Sequence, residues 1–260
     1  DFIGIKGSAG KMSSSLGRVV NLEDMLRVYT PELTRYLFAG TRPNTEFTIS
    51  FDLDVIKIYE DYDKTERIAF GAEMVKDEGV FRRERRIYEL SQVETGPEGR
   101  ALIPETMPRQ APFRHLCNLI QIAGGDVDRA LEGLGSMGPD QLRRLKARAL
   151  CAKYWVEECA PEDFRFCLRE PGEQPAGLND AERAAVRVLR DRVIRGIEGF
   201  PDDKSCAEAI YGAAAECGLE GKALFRACYQ ALIGKDQGPR LANFLRSINK
   251  ERLLGILAGY

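Results

Sequence analysis

Apolar residues recur at helical spacing along most of the chain after residue 20. Leu22, Met25 and Leu26 share one helical face, and the acidic Glu23 and Asp24 suit the positive end of a helix. The same spacing predicts further helices over 31–40, 52–70, 113–123, 126–133, 141–158, 179–197, 203–217, 221–233, 239–248 and 250–257. One short alternation at 47–51 predicts a strand. The pattern therefore predicts a mainly α-helical protein.

Two segments depart from this pattern. Glycines and serines dominate residues 1–20, where no helical or strand period survives, so we predict a loop. Residues 81–90 carry four arginines, and their spacing leaves the choice between helix and strand open. Further along the chain, Asn179 followed by Glu182 resembles a capping box. Trp155 falls on the apolar stripe of the helix at 141–158, and we expect it in the core.

Composition narrows the class of protein. The chain has 260 residues, of which 44% are hydrophobic and 30% charged, and this excludes disordered and collagen-like chains. A chain of this length can bury about three quarters of its unfolded surface. No apolar stretch approaches the roughly eighteen residues of a membrane span, and residues 1–10 are too polar for a signal peptide. We expect a cytoplasmic globular piece without a membrane partner. Such a piece can be part of a longer protein.

Charge and cysteine spacing limit the chemistry. With 38 basic and 40 acidic residues the net charge is −2, so only a local basic face can attract a polyanion. The seven cysteines form no CxxC pair and His115 is the only histidine, so we expect reduced core thiols and no structural metal. His115 stands at the start of an amphipathic helix, and we assign it no catalytic role.

The residues 10–17, GKMSSSLG, form the one sharp chemical signal. Lys11 supplies a positive charge, the hydroxyls of Ser13 to Ser15 donate hydrogen bonds, and glycines allow close approach of backbone N–H groups. Such a loop is suited to phosphate, although its spacing is not that of a Walker A loop. The alternative for a bare serine run is a flexible linker.

The wider sequence favours the phosphate loop. GKMSSSLG resembles the second signature loop, KMSKS, of class I aminoacyl-tRNA synthetases, in the serine-rich form of the class I lysyl-tRNA synthetases. Later segments are similar to that family in order, among them RIYELS at 86–91, WVEECAPEDFRF at 155–166 and LIGKDQGPRL at 232–241. Ser14 stands where the general class I motif has a second lysine, which leaves the positive charge to Lys11 alone.

The resemblance implies an organisation in three parts: a KMSKS-type loop at 1–20, a stem-contact-like connecting helical region at 21–110, and an α-helical cage that binds the anticodon at 111–260. It also implies that the Rossmann catalytic domain, with the ATP and lysine pockets, is absent from this chain. Members of the family join lysine to tRNA(Lys) through lysyl-adenylate, using ATP with Mg²⁺. The chain alone is then expected to be catalytically incomplete.

The resemblance assigns roles within the loop. Lys11 is the expected catalytic residue, and Lys11, Met12, Ser13, Ser14 and Ser15 are the expected ATP-binding residues. No DNA partner is expected.

The tRNA-binding residues are predicted from charge. Arg183, Arg187 and Arg190 lie at i, i+4 and i+7, which would present three guanidinium groups to a phosphate backbone. The alternative is a solvated charged face. A second basic set lies at 143–148, and the candidates for base stacking are Trp155, Phe164, Phe166 and Tyr229, each also a candidate core residue.

Two other functions remain open at this stage. One is a freestanding helical RNA-binding module, and the other is the equivalent part of a glutamyl-tRNA synthetase. The serine run and the residues 160–162 favour lysine over glutamate.

Overall fold

The computed structural model describes residues 3–6, 20–41, 47–173 and 177–260, and it is mainly α-helical, as the pattern predicts. Its strands are β1 (Ile3–Ile5) and β2 (Phe47–Ile49). Its helices are α1 (Leu22–Val28), α2 (Pro31–Ala39), α3 (Asp54–Ala69), α4 (Glu78–Ser91), α5 (Phe113–Ile122), α6 (Val127–Glu132), α7 (Pro139–Tyr154), α8 (Asp180–Arg192), α9 (Asp203–Glu216), α10 (Gly221–Ile233), α11 (Leu241–Arg246) and α12 (Lys250–Ile256).

The chain divides into two compact units. Unit 1 contains residues 1–120 and 126–162, and unit 2 contains residues 121–125 and 163–260. The two units are defined by how densely their residues pack together, and not by function. The three functional regions predicted at 1–20, 21–110 and 111–260 stay a prediction.

Aromatic side chains form the centre of unit 1. The ring of Tyr59 stacks on Phe113 at 3.9 Å, and Phe113 meets Trp155 edge-on at 5.9 Å. All three are fully buried, and the indole Nε1 of Trp155 donates to the carbonyl of Phe51 at 2.9 Å. Around this centre α3 packs against α4, α2 against α4, and α1 against α7. The prediction that Trp155 is a core residue is confirmed.

The loop predicted for all of residues 1–20 is wrong at its start. Residues 3–5 form β1, which pairs in parallel with β2 in the register Ile3 to Phe47 and Ile5 to Ile49. A strand of three residues is too short to show a period, and its partner lies more than forty residues away, so only tertiary pairing reveals it. The strand predicted at 47–51 is confirmed for Phe47–Ile49.

The basic segment at 81–90 forms part of the helix α4. Asp77 caps this helix, because its carboxylate accepts from the backbone N–H groups of Gly79 and Val80 at 2.6 and 3.1 Å. Within α4 only Tyr88 and Ser91 are buried, so the helix offers a narrow apolar face, which explains why its period was ambiguous.

The helix predicted at 141–158 is divided in the structure. Pro139 begins α7, which its fixed φ suits, and the helix ends at Tyr154. Residues 155–159 continue as a π-helical turn closed by the Ala160 N–H, which donates to the carbonyl of Trp155 at 2.7 Å. Pro161 follows at once, and a proline disfavours the α conformation in the residue before it.

Unit 2 is built from α8 to α12 around one apolar core. Asn179 and Glu182 form the predicted capping box, with reciprocal hydrogen bonds of 2.9 and 3.0 Å. The helix predicted at 179–197 ends as an α-helix at Arg192 and continues as a 3₁₀ turn over Ile194–Gly199. The rings of Phe166 and Phe244 meet edge-on at 5.4 Å in the core.

The cysteines are free thiols, as predicted, and four of them are buried: Cys117, Cys151, Cys206 and Cys228. Burial raises the pKa of the Cys151 thiol to about 11 and raises that of the other three as well. Buried thiols with raised pKa values stay protonated at neutral pH, so these four are packing groups rather than nucleophiles. Among the described helices none is long and apolar enough to cross a membrane.

Candidate functional site

The expected ATP-binding loop, Lys11 to Ser15, lies outside the described residues. The structure does describe the elements on both sides of it. These elements are β1 with Lys6 upstream and α1 downstream.

The upstream side is held by β1 and Lys6. The backbone N–H of Lys6 donates to the carbonyl of Ile49 at 2.9 Å, and its ammonium pairs with Asp54 and, at 3.2 Å, with Asp52. Hydrogen bonds from the Ser50 hydroxyl and the Asp54 backbone, together with Lys6, hold the pKa of Asp52 below its ordinary value. The start of the loop is therefore tied to the N-terminal end of α3.

The downstream side is held by α1. Asn21 caps this helix by a capping box, in which its side chain accepts from the Asp24 N–H at 2.8 Å. Met25 and Val28 are buried, and the Arg27 guanidinium lies 5.6 Å from the ring centre of Tyr154 on α7. The two elements that flank the loop, β1 and α1, are therefore both packed within unit 1.

The predicted tRNA-binding arginines all lie on α8, but their environments differ. Arg187 is exposed and has no side-chain partner within the described ranges. Arg183 is half-buried, and its Nε donates to the carbonyl of Leu178 at 3.3 Å.

Arg190 is partly buried, with 17% of its side chain exposed. Its Nη1 donates to the carbonyls of Leu257 and Tyr260 at 3.2 and 2.9 Å, and it also pairs with Asp191 at 3.0 Å. These two bonds hold a 3₁₀ turn, Leu257–Gly259, against α8. Arg187 is thus the arginine whose guanidinium is available to a phosphate.

The basic side chains of the second set, at 143–148, form ion pairs with carboxylates. Arg143 pairs with Glu94 and Asp140 at 3.5 Å each, and Lys146 pairs with Asp128 at 2.6 Å. Arg144 and Arg148 pair with two buried acids of α3. Each of the four cations in this set therefore has a carboxylate partner.

The buried acids are Glu66 and Asp63, which sequence reasoning did not single out. Asp63 accepts two hydrogen bonds of 2.7 Å from the two Nη atoms of Arg148, and both side chains are less than a tenth exposed. Glu66 is fully buried and accepts from Arg144, from the Tyr88 hydroxyl at 3.0 Å and from Gln110 at 2.8 Å. The signal in the sequence is an acidic residue inside the apolar stripe of α3.

The aromatic candidates for base stacking are mostly core residues. Trp155 lies in the centre of unit 1, Phe166 packs on Phe244, and the buried Tyr229 hydroxyl donates to the carbonyl of Pro239. Phe164 is half-buried. Exposed cations without an ion-pair partner in the described segments include Lys57 and Arg82 in unit 1, and Lys222 and Arg240 in unit 2. Within the same segments no group of three or more metal-ligating side chains comes together.

Comparison with known proteins first identifies the class of enzyme that this chain resembles. Residues 1–94, which include the GKMSSSLG loop, match the family described as tRNA synthetases class I (K). The whole chain is similar to lysine–tRNA ligases. It is 47% identical to that of Treponema pallidum and 44% identical to that of Borreliella burgdorferi, in each case over 100% of this chain and 48% of the relative. It is 36% identical to that of Thermococcus kodakarensis, over 96% of this chain and 47% of the relative.

The chain belongs to the class I lysyl-tRNA synthetase family. It spans about half the length of these relatives.

Proposed function

We propose that this chain is the C-terminal, tRNA-binding part of a class I lysyl-tRNA synthetase, and that the whole enzyme joins lysine to tRNA(Lys) using ATP. The observation that carries the proposal is the similarity to lysine–tRNA ligases over the full 260 residues at 47% identity. It outweighs both alternatives, because neither a freestanding RNA-binding module nor a glutamyl-tRNA synthetase accounts for it. Since charging of tRNA serves protein synthesis, we place the enzyme in the cytoplasm.

Lys11 acts in the first step of the reaction. The lysine carboxylate attacks the α-phosphorus of ATP, the bond from that phosphorus to the leaving oxygen breaks, and pyrophosphate departs. Negative charge grows on the leaving phosphates, so an ammonium held beside them stabilises the transition state more than the ground state. Lys11 supplies that charge, and Met12 and the hydroxyls of Ser13, Ser14 and Ser15 complete the ATP-binding loop. β1 and α1 are the described elements that flank this loop.

This chain alone lacks the remainder of the reaction site. In the described residues the only sheet is the two-stranded β1–β2 pair, which is far from a Rossmann domain. ATP and lysine are substrates of the whole enzyme, and Mg²⁺ enters with ATP. No ligand for Mg²⁺ is assigned to the described residues, which bring no metal-binding cluster together.

Arg187 is the strongest candidate for a tRNA phosphate contact. It is exposed, it has no partner in the described part of α8, and its charge is not compensated by a neighbouring carboxylate. Arg183 is half-buried and uses only its Nε in the bond to Leu178, so its two Nη atoms can assist. Arg190 supports this surface by fixing the end of the chain to α8, and it contributes to binding only through that packing. The connecting region at 21–110 and the anticodon-binding region at 111–260 remain part of the proposal.

The test uses the full-length enzyme with Lys11→Ala, and Lys57→Ala as a matched control. Lys57 is an exposed lysine on α3 without a partner among the described residues, so its loss changes charge by the same amount. We expect Lys11→Ala to lower lysine-dependent ATP–pyrophosphate exchange by about a hundredfold, with tRNA binding almost unchanged. Lys57→Ala should match the wild type in both assays.

Two results would overturn the proposal. Exchange at the wild-type rate in Lys11→Ala would remove the assigned role of the loop. Lysine-dependent exchange above background by the 260-residue chain alone would show that the ATP and lysine pockets lie within it.

A further inference from the structure

Unit 1 contains a cleft of about 750 Å³ that the proposed function does not use. The start of α2, the segments at 92–94 and 102–108, and the first half of α7 enclose it. Its walls are largely apolar, and they include Leu33, Leu102, Pro104, Met107 and Pro139. A concave, mostly apolar cavity of this size with a few convergent polar groups is typical of small-molecule sites.

The buried part of the cleft is rich in hydrogen-bond donors. Tyr62 is 1% exposed, and its hydroxyl oxygen accepts from Gln92 Nε2 at 3.4 Å, while its hydroxyl hydrogen has no acceptor in the described part of the chain. Burial raises the pKa of Tyr62, so the hydroxyl stays a donor at neutral pH. The Nε of Arg148 is also buried without an acceptor, although both of its Nη atoms bind Asp63.

Arg144 adds further donors to this lining. One Nη atom binds Glu66, and the other nitrogens of the guanidinium have no acceptor in the described ranges. A third of the side chain is exposed, so these nitrogens can be reached from the cleft. Gly138, the N-cap of α7, also lines the cleft and offers no side-chain cap to that helix. An unfilled donor in a buried site is costly, and a ligand acceptor would relieve that cost.

The mouth of the cleft carries the opposite charge. Glu32 is half-buried and has no ion-pair partner within the described segments, whereas Glu94 and Asp140 share Arg143 at 3.5 Å each. Three carboxylates against one guanidinium give the mouth a net charge of −2. The two deeper arginines do not change this balance, because Glu66 and Asp63 compensate them.

We propose that this cleft binds a small basic aminocarboxylate, either a basic amino acid or a short basic peptide with a free carboxylate. The carboxylate accepts from the Tyr62 hydroxyl and the Arg144 guanidinium in the buried part. The ammonium groups lie at the mouth beside Glu32 and Glu94, and the aliphatic stem packs along the apolar walls. A polyphosphate or an RNA backbone is disfavoured, because the mouth would repel it. The site is independent of the Lys11 loop and of the proposed reaction.

The test is a calorimetric titration of the 260-residue chain with the dipeptide lysyl-lysine. Lysyl-lysinamide lacks the carboxylate, and norleucyl-norleucine lacks the two side-chain ammonium groups. We expect lysyl-lysine to bind saturably, and each of the two analogues to bind about tenfold or more weakly. The amide loses the carboxylate that the buried donors bind, and norleucyl-norleucine loses the ammonium groups that the acidic mouth attracts.

Two variants locate the binding in the cleft. Tyr62→Phe keeps the ring and removes the hydroxyl, so lysyl-lysine should bind about three- to tenfold more weakly. The lost acceptor for Gln92 is a long one, and Gln92 Nε2 keeps its hydrogen bonds to the Tyr88 carbonyl and the Ser91 hydroxyl. Glu32→Gln should weaken lysyl-lysine about two- to fivefold and leave norleucyl-norleucine unchanged. Tyr211→Phe and Glu60→Gln, which change exposed residues away from the cleft, should match the wild type.

Each negative outcome overturns the proposal. Absence of saturable lysyl-lysine binding removes the site, and equal affinity for the amide removes the role of the buried donors. Wild-type affinity in Tyr62→Phe places any binding outside the cleft. None of these results bears on Lys11, whose role is tested by pyrophosphate exchange.

Discussion

The buried ion pair between Arg148 and Asp63 gives the sharpest prediction of stability. Arg148 reaches from α7 to α3, donates two hydrogen bonds of 2.7 Å to the carboxylate, and lies 4.7 Å from the ring centre of Tyr59. Arg148→Ala would leave Asp63 as a buried carboxylate without its partner. It would also remove the packing on Tyr59, at the centre of the aromatic core of unit 1.

The expected cost follows from burial. Removing one partner of a buried ion pair destabilises a protein by about 3–5 kcal/mol, since the remaining charge stays desolvated. With a urea m-value of about 2 kcal/mol/M, the unfolding midpoint of unit 1 should fall by about 1.5–2.5 M. Arg82→Ala removes an exposed arginine without a partner in the described part of unit 1, and it should shift the midpoint by at most about 0.25 M.

Fluorescence of Trp155 is the natural assay. It is the only tryptophan of the chain, and it is fully buried in unit 1, so its signal follows the unfolding of that unit. The double variant Asp63→Leu with Arg148→Met removes both charges together. It should be more stable than Arg148→Ala, because no uncompensated charge is left.

Two results would refute this reasoning. One is a midpoint for Arg148→Ala within about 0.25 M of that for Arg82→Ala, which would show that the pair is not desolvated. The other is a double variant less stable than Arg148→Ala, which would show that the lost stability came from packing rather than from charge.

Three further predictions concern unit 2. Arg187→Ala should flatten the slope of log tRNA affinity against log salt concentration by somewhat under one unit. Filter binding at several salt concentrations measures this slope, and an unchanged slope would contradict a phosphate contact. Arg190→Ala should lower the free energy of unfolding by about 1–3 kcal/mol, measured by circular dichroism, because the carbonyls of Leu257 and Tyr260 lose their donor. Arg190 and Arg195 lower the pKa of Asp191 from 3.8 to about 2, so its stabilising contribution is complete above about pH 4 and is lost as pH falls through 2. The difference in Tm between the wild type and Asp191→Asn should therefore shrink between pH 4 and pH 2, and a constant difference would contradict this assignment.

A thiol titration tests the burial of the cysteines. Cys167 is exposed and should react first with Ellman's reagent, while Cys117, Cys151, Cys206 and Cys228 should react only after unfolding. Fast reaction of five or more thiols in the native chain would show that the reagent reaches cysteines that the structure buries.

The local sequence determined most of the helices, although it left the residues 81–90 of α4 open and extended α7 and α8 past their observed ends. Apolar residues at helical spacing placed α3 and α10 within two residues of their observed bounds, because each helix buries one stripe of its surface. The capping boxes at Asn21 and Asn179 depend only on residues three positions apart, so they too can be read from the sequence. The prediction of an ATP-binding loop around Lys11 likewise rests on a contiguous motif.

Tertiary structure decided which charges are available. On the sequence, Arg144 and Arg148 form a basic set like that of α8, and nothing nearby shows that Glu66 and Asp63, some 80 residues earlier, bind them. Arg187 and Arg190 are three residues apart on α8, yet only Arg190 is bound by backbone carbonyls of the residues 257–260. β1 required a partner more than forty residues away. Helix periods arise from contacts between near neighbours, whereas ion pairs, strand pairs and clefts join distant residues, and only the folded chain brings these together.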